Sequence, residues 1–199
     1  MPVSGIGRCL FAASFVATGA GTSTPMAVSA SRTRTDDGAA HEAVTRPRAP
    51  GILLGIGLGG FVDGILLHQI LQWHHMLTSE GSYPKTTVAG LETNTLWDGL
   101  FHAATWVTVA VGIYILWRRT TDWRWAISGR AFVGWLLVGW GLFNLVEGVV
   151  DHHILTIHHV REGANVNETA WDLAFLAIGA LLVLGGWLLA RFDERDDPD

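Results

Sequence analysis

The chain has a single cysteine, Cys9, in 199 residues. That excludes an intramolecular disulfide and any thiolate-rich zinc or iron–sulfur site. Charge is scarce as well: Asp, Glu, Lys and Arg together make up 16%, against about 25% in ordinary soluble domains. Thirteen basic and eighteen acidic residues leave a formal net charge of −5, so no general positive field exists to attract nucleic acid. Several catalytic signatures are missing too. There is no Gly-rich phosphate loop ending in Lys-Ser/Thr, no Gly-x-Ser-x-Gly elbow and no His-Glu-x-x-His helix.

What is plentiful is apolar. Hydrophobic residues reach 49%, with twenty-four Gly and ten Trp, both of which recur in lipid-embedded helices. Crossing a hydrocarbon core takes roughly 20 mostly apolar residues, and four segments qualify, at about 51–73, 97–117, 131–157 and 171–190. No stretch alternates polar and apolar residues as a barrel wall requires. The expected fold is therefore an all-α membrane protein, a four-transmembrane-helix bundle over residues 50–190, with the lipid bilayer as its partner.

Arg46 and Arg48 precede the first span, Arg118, Arg119, Arg124 and Arg130 separate the second from the third, and Arg191 and Arg195 follow the fourth. The other two connections hold only Lys85 and Arg161. The positive-inside rule then expects a multi-pass plasma-membrane protein with both termini cytoplasmic. Residues 1–49 read as a disordered extension with a signal-like segment at 9–30. Residues 191–199 read as an acidic cytoplasmic tail.

Spans one and three share a pattern. Asp63-Gly64-Ile65-Leu66-Leu67-His68-Gln69-Ile70-Leu71-Gln72-Trp73-His74-His75 aligns without a gap on Glu147-Gly148-Val149-Val150-Asp151-His152-His153-Ile154-Leu155-Thr156-Ile157-His158-His159. Thr95-Leu96-Trp97-Asp98 matches Thr169-Ala170-Trp171-Asp172, each with a Phe three residues on. Two helical hairpins entering from the same side imply a parallel repeat about an axis along the membrane normal. Gly51, Gly55 and Gly59 form a small-residue stripe suited to close helix packing.

Eight of the nine histidines lie in or beside the spans, His41 alone falling in the extension. At about 100° per residue, His68 shares a helix face with His75, and His152 with His159. Asp63 and His74 share another direction, repeated by Glu147 and His158. Asp98 and His102, four apart, can share a ligand; Asp172 matches Asp98, but Leu176 replaces the histidine. Ionisable groups inside a membrane are costly and usually mark function. Imidazole with carboxylate suits copper, zinc or iron.

The expected site is thus an outward-facing intramembrane metal centre. Its preferred ligands are His68, His75, His102, His152 and His159, with His74 and His158 as alternates. Asp98 serves as ligand or orienter, and Met76 is the one thioether nearby. A b-type haem with His68 and His152 as axial ligands is the close variant. Two other classes stay open. One is a proton or ion relay through Asp63 and Glu147, for which a homodimer would give a wider path. The other is a di-iron membrane oxidoreductase, from a partial likeness to the histidine boxes of membrane desaturases.

In the strings GFVDGILLHQILQWHH (60–75), LWDGLFH (96–102) and VVDHHILTIHHVR (149–161), the chain resembles an uncharacterised prokaryotic family of four-span integral membrane proteins. The likeness covers about residues 50–190 and implies no activity. It also carries a loose likeness to copper-handling assembly factors, which implies a respiratory oxidase assembly partner.

Overall fold

The computed structural model describes residues 47–121 and 128–193. Among them there is no strand. Four helices are long and apolar enough to cross a membrane: Arg48–Ile70, Val88–Thr120, Gly129–Ile154 and Glu168–Phe192. We label the α-helical parts α1 (Arg48–Phe61), α2 (Val88–Thr120), α3 (Gly129–Val149) and α4 (Glu168–Asp193). α1 continues as a π-helix over Val62–Ile70, and α3 does so over Val150–Ile154. Thr87 and Ser128 open α2 and α3 by accepting the backbone N–H of Gly90 and Ala131 on their hydroxyls, which satisfies amides that have no partner inside the helix.

Helices α1 and α3 form the central seam, with α2 packed on α1 and α4 on α3. The buried positions of α1 are nearly all glycine: Gly51, Gly55, Gly57, Gly59 and Gly60, beside Pro50. A Cβ at Gly55 would lie 2.8 Å from the Trp140 amide and 2.9 Å from the Gly139 Cα, and Gly139 meets the Ile52 backbone in the same way. Backbones touch there because no side chain intervenes.

The interior is polar and the outside apolar. Its fully buried side chains include His68, His74, His152, His158, Asn94, Asp98 and Asp172, while Leu, Ile, Val and Trp of α2 and α4 are exposed. This suits lipid, where an apolar exterior is solvated and polar groups must find partners inside.

The repeat extends to backbone detail. Leu71 N–H bonds to Leu66 O and Leu155 N–H to Val150 O, each five residues back. Trp73 N–H then reaches Leu67 O, and Ile157 N–H reaches Asp151 O. Gln72 and Thr156 adopt φ of 50° and 49°, an uncommon left-handed turn for side-chain-bearing residues.

These turns correct the helical-face reading. The helices stop at Ile70 and Ile154, not at 73 and 157, so His74, His75, His158 and His159 sit on returning chain rather than on a continued helix. α2 begins at Val88, before the apolar stretch from 97, because a helix capped by Thr87 propagates through polar residues that a hydropathy reading discounts. The disordered and signal-like readings of 1–49 lie outside the described residues apart from 47–49, of which Arg48 and Ala49 are helical. Of the acidic tail, Arg191–Asp193 belongs to α4 and the rest lies outside.

Candidate metal centre

The two turns carry His74 and His158 back between the ends of the central helices. Their imidazoles stack with centroids 4.6 Å apart and planes within 2°. Each ring is anchored by the opposite repeat: His74 Nδ1 donates to the Val160 carbonyl at 2.8 Å, and His158 Nδ1 donates to the Met76 carbonyl at 3.3 Å. A histidine held through Nδ1 presents Nε2 to whatever lies on its other side.

His68 and His152 flank the stack, 4.5 Å from His74 and 4.9 Å from His158 between centroids. Their Nδ1 atoms face Asp98 Oδ1 at 3.1 Å and Asp172 Oδ1 at 3.5 Å. Their Nε2 atoms face Asp63 Oδ2 at 3.1 Å and Glu147 Oε1 at 3.5 Å. His74 Nε2 stands 3.9 Å from Asp63 Oδ1, and His158 Nε2 stands 3.4 Å from Glu147 Oε1. Four Nε2 atoms and two carboxylates therefore meet in one buried space. Two sets bring one ligand atom each within 4.8 Å of one another: Asp63, His68 and His74, and His74, Glu147 and His158.

The electrostatics of the returning histidines differ. Burial, with His158 and His68 close by, holds His74 well below the usual imidazole range. Burial also pulls His158 down, but the Glu147 carboxylate beside it outweighs that and raises it.

Of these contacts, His158 Nε2 to Glu147 Oε1 is a hydrogen bond; most of the other atoms have none. Both oxygens of Asp63, both nitrogens of His68 and of His152, His74 Nε2 and Glu147 Oε2 are buried with no hydrogen-bond partner among the described residues. Each unsatisfied buried polar group costs about 1–3 kcal/mol, and charged ones more. A cation between the Nε2 and carboxylate atoms would relieve most of these together.

The other expected ligands hold the frame. Asp98 accepts from His75 Nδ1 at 2.6 Å, the Met76 amide at 3.0 Å and Gln69 Nε2 at 3.3 Å. Asp172 repeats this with His159 Nδ1 at 2.7 Å and the Val160 amide at 3.0 Å. Each acid thus ties a turn to the helix behind it and backs the Nδ1 of a central histidine. His102 is turned away: its Nδ1 donates to the Asp98 carbonyl at 2.7 Å, and its ring lies over Gly64. His153 likewise donates to the Gly148 carbonyl at 2.7 Å.

Asp63 and Glu147 are the residues that sequence reasoning left out of the ligand set. Depth counted along a straight helix separates them from His74 and His158, whereas the returning turns bring the four together. The available signal was their common position, eleven residues before His74 and His158 in both halves.

These features define a membrane protein of four spans, built by duplication around a buried histidine–carboxylate cluster. The chain belongs to the DUF2243 family of predicted membrane proteins, whose model matches residues 50–193. No curated protein and no solved structure matches it.

Proposed function

We propose that this protein is a metal-binding membrane protein whose centre holds two ions in pseudo-symmetric half-sites. Asp63, His68 and His74 form one; Glu147 and His158, which also come within reach of His74, form the other together with His152, whose Nε2 lies 3.5 Å from Glu147 Oε1. The observation that carries this reading is the convergence of four Nε2 atoms, each with its Nδ1 facing a carboxylate or carbonyl, on two acids with unsatisfied oxygens. A metal-ligating histidine characteristically has its second nitrogen held by such a group, which fixes ring and tautomer, as for His74 and His158 here.

Two imidazoles and one carboxylate per ion suit zinc or iron(II). Copper(I) fits less well, since the set contains neither thiolate nor thioether. A haem between His68 and His152 is disfavoured by the stacked rings of His74 and His158, which occupy the space between them. A through-membrane relay is disfavoured by the Gly55–Gly139 contact, which closes the seam on the arginine-bearing side of the cluster.

Arg48, Arg118, Arg119, Arg130 and Arg191 lie at the helix ends remote from the centre, with Asp63 some 22 Å along α1 from Arg48 at 1.5 Å per residue. Under the positive-inside rule the centre faces away from the cytoplasm.

Elemental analysis of detergent-purified protein tests the proposal. Two equivalents of zinc or iron per chain are expected, falling to about one in Asp63→Asn and in Glu147→Gln. Less than about 0.2 equivalents after reconstitution with either metal would overturn it, given the affinity expected of preorganised ligands.

A further inference from the structure

The two repeats differ at one side of the centre, where a groove lies. Ile56, Phe101, Leu142, Phe143, Val146 and Val150 wall a cavity of about 410 Å³ that ends at Glu147 and Asp151. Its size falls within the roughly 300–1,000 Å³ of small-molecule sites. Its walls come from α1, α2 and α3, and Val146 among them is exposed on the apolar exterior.

Extending the offset of 84 back along the two helices makes Trp140 and Gly59 the counterparts of Ile56 and Phe143, and within the aligned stretch the counterpart of Asp151 is Leu67. On that other side the Trp140 indole lies against Gly59, so close that a Cβ would meet its ring at 2.8 Å. On the groove side Ile56 and Phe143 thus stand where the twin has an indole and a glycine, and Asp151 stands where the twin has leucine.

We propose that this groove binds an uncharged, lipid-soluble phenol or hydroquinone, whose hydroxyl donates to the acids at its end. Three observations select that chemistry. The walls are apolar and reach the lipid face, so a charged molecule would face the cost of leaving water. Phe101 and Phe143, 6.1 Å apart and tilted by 44°, offer ring surfaces for an aromatic body. Glu147 Oε2 is buried with no hydrogen-bond partner among the described residues, and a hydroxyl supplies the missing donor. The inference rests on the metal-centre reading only in that Glu147 belongs to both, and its test is read separately from metal content.

The probe is an alkylphenol carrying an alkyl diazirine, applied to protein in phosphatidylcholine nanodiscs, with its O-methyl ether as control. After illumination, mass spectrometry should place the label on the segment Leu142–Asp151 and on Phe101. The methyl ether should label them at least five-fold less. Ile56→Trp and Asp151→Leu each install the residue of the other repeat, and each should cut labelling at least five-fold. Metal content in both variants reports whether the centre remains assembled. Equal labelling by the ether, label spread along the exposed faces of α2 and α4, or unchanged labelling in Asp151→Leu with normal metal content would overturn the proposal. Should the protein hold no metal yet label as described, the groove stands and the centre falls.

Discussion

Replacing Gly55 by alanine tests the claim that the seam sets the centre. The new Cβ would run into the Leu136 carbonyl oxygen and lie 2.8 Å from the Trp140 amide and 2.9 Å from the Gly139 Cα, against about 3.5–4.0 Å for an unstrained carbon contact. All three are backbone atoms, so no side chain can swing aside and the helices must part by more than about 1 Å. Overpacking of this kind costs about 1–3 kcal/mol. Alanine returns up to about 1 kcal/mol through helix propensity, so a clash at the upper end of that range leaves a net loss of about 2 kcal/mol.

The separation also reaches the ligands, which lie eight residues, or about 12 Å, further along the helix. Metal–ligand distances tolerate only about 0.2 Å, so the shift should release metal as well as lower the melting temperature. Gly139→Ala should behave alike, because it meets the Ile52 backbone from the opposite side. Gly99→Ala and Gly185→Ala, with nothing within 4 Å of the added carbon, should be neutral or slightly stabilising. Thermal unfolding in detergent, followed by helical circular dichroism, gives the comparison. A Gly55→Ala protein as stable and as metal-rich as Gly99→Ala would refute the reasoning.

Other outcomes follow from the same geometry. Asp98→Asn weakens the tie to His75 and the backing of His68, so metal affinity should fall about 10–100-fold in a chelator competition titration; Asp172→Asn should match it. Stripping the metal should lower the melting temperature and refilling should restore it, since a ligand at 100 times its Kd adds about 2.7 kcal/mol. Metal affinity should begin to drop above the usual imidazole range as pH falls, because the raised His158 takes up a competing proton first, while His74, held well below that range, competes only at lower pH; equilibrium dialysis at several pH values measures this. Arg161 lies 5.0 Å from the Trp73 ring and 5.3 Å from the Trp171 ring. Arg161→Lys, which loses the planar stacking group, should raise proteolysis of the 71–87 turn without changing metal content.

Much of this architecture was legible in the residues. Spans of about 20 apolar residues and the offset of 84 between Asp63 and Glu147 point directly to the helices and the repeat. The turns were not legible. Leu71-Gln72-Trp73 and Leu155-Thr156-Ile157 contain neither glycine nor proline, the usual marks of a chain that reverses. The left-handed Gln72 and Thr156 are imposed by tertiary bonds, among them His74 to Val160 and His158 to Met76. A helical wheel drawn through these residues consequently paired His68 with His75. The structure sets His68 against both rings, 4.5 Å from His74 and 6.4 Å from His75 between centroids, and has His75 hold Asp98. His102 was picked for its spacing from Asp98, which the helix does honour, but the contact is to the backbone carbonyl.

The most direct test of the paired centre is X-ray absorption spectroscopy at the edge of the metal that the purified protein retains. Two ions per chain, each in a shell of nitrogen and oxygen at about 2.0–2.2 Å with imidazole outer-shell scattering and no sulfur, is the predicted result. A first shell containing sulfur, or a spectrum of hydrated metal without imidazole scattering, would contradict it.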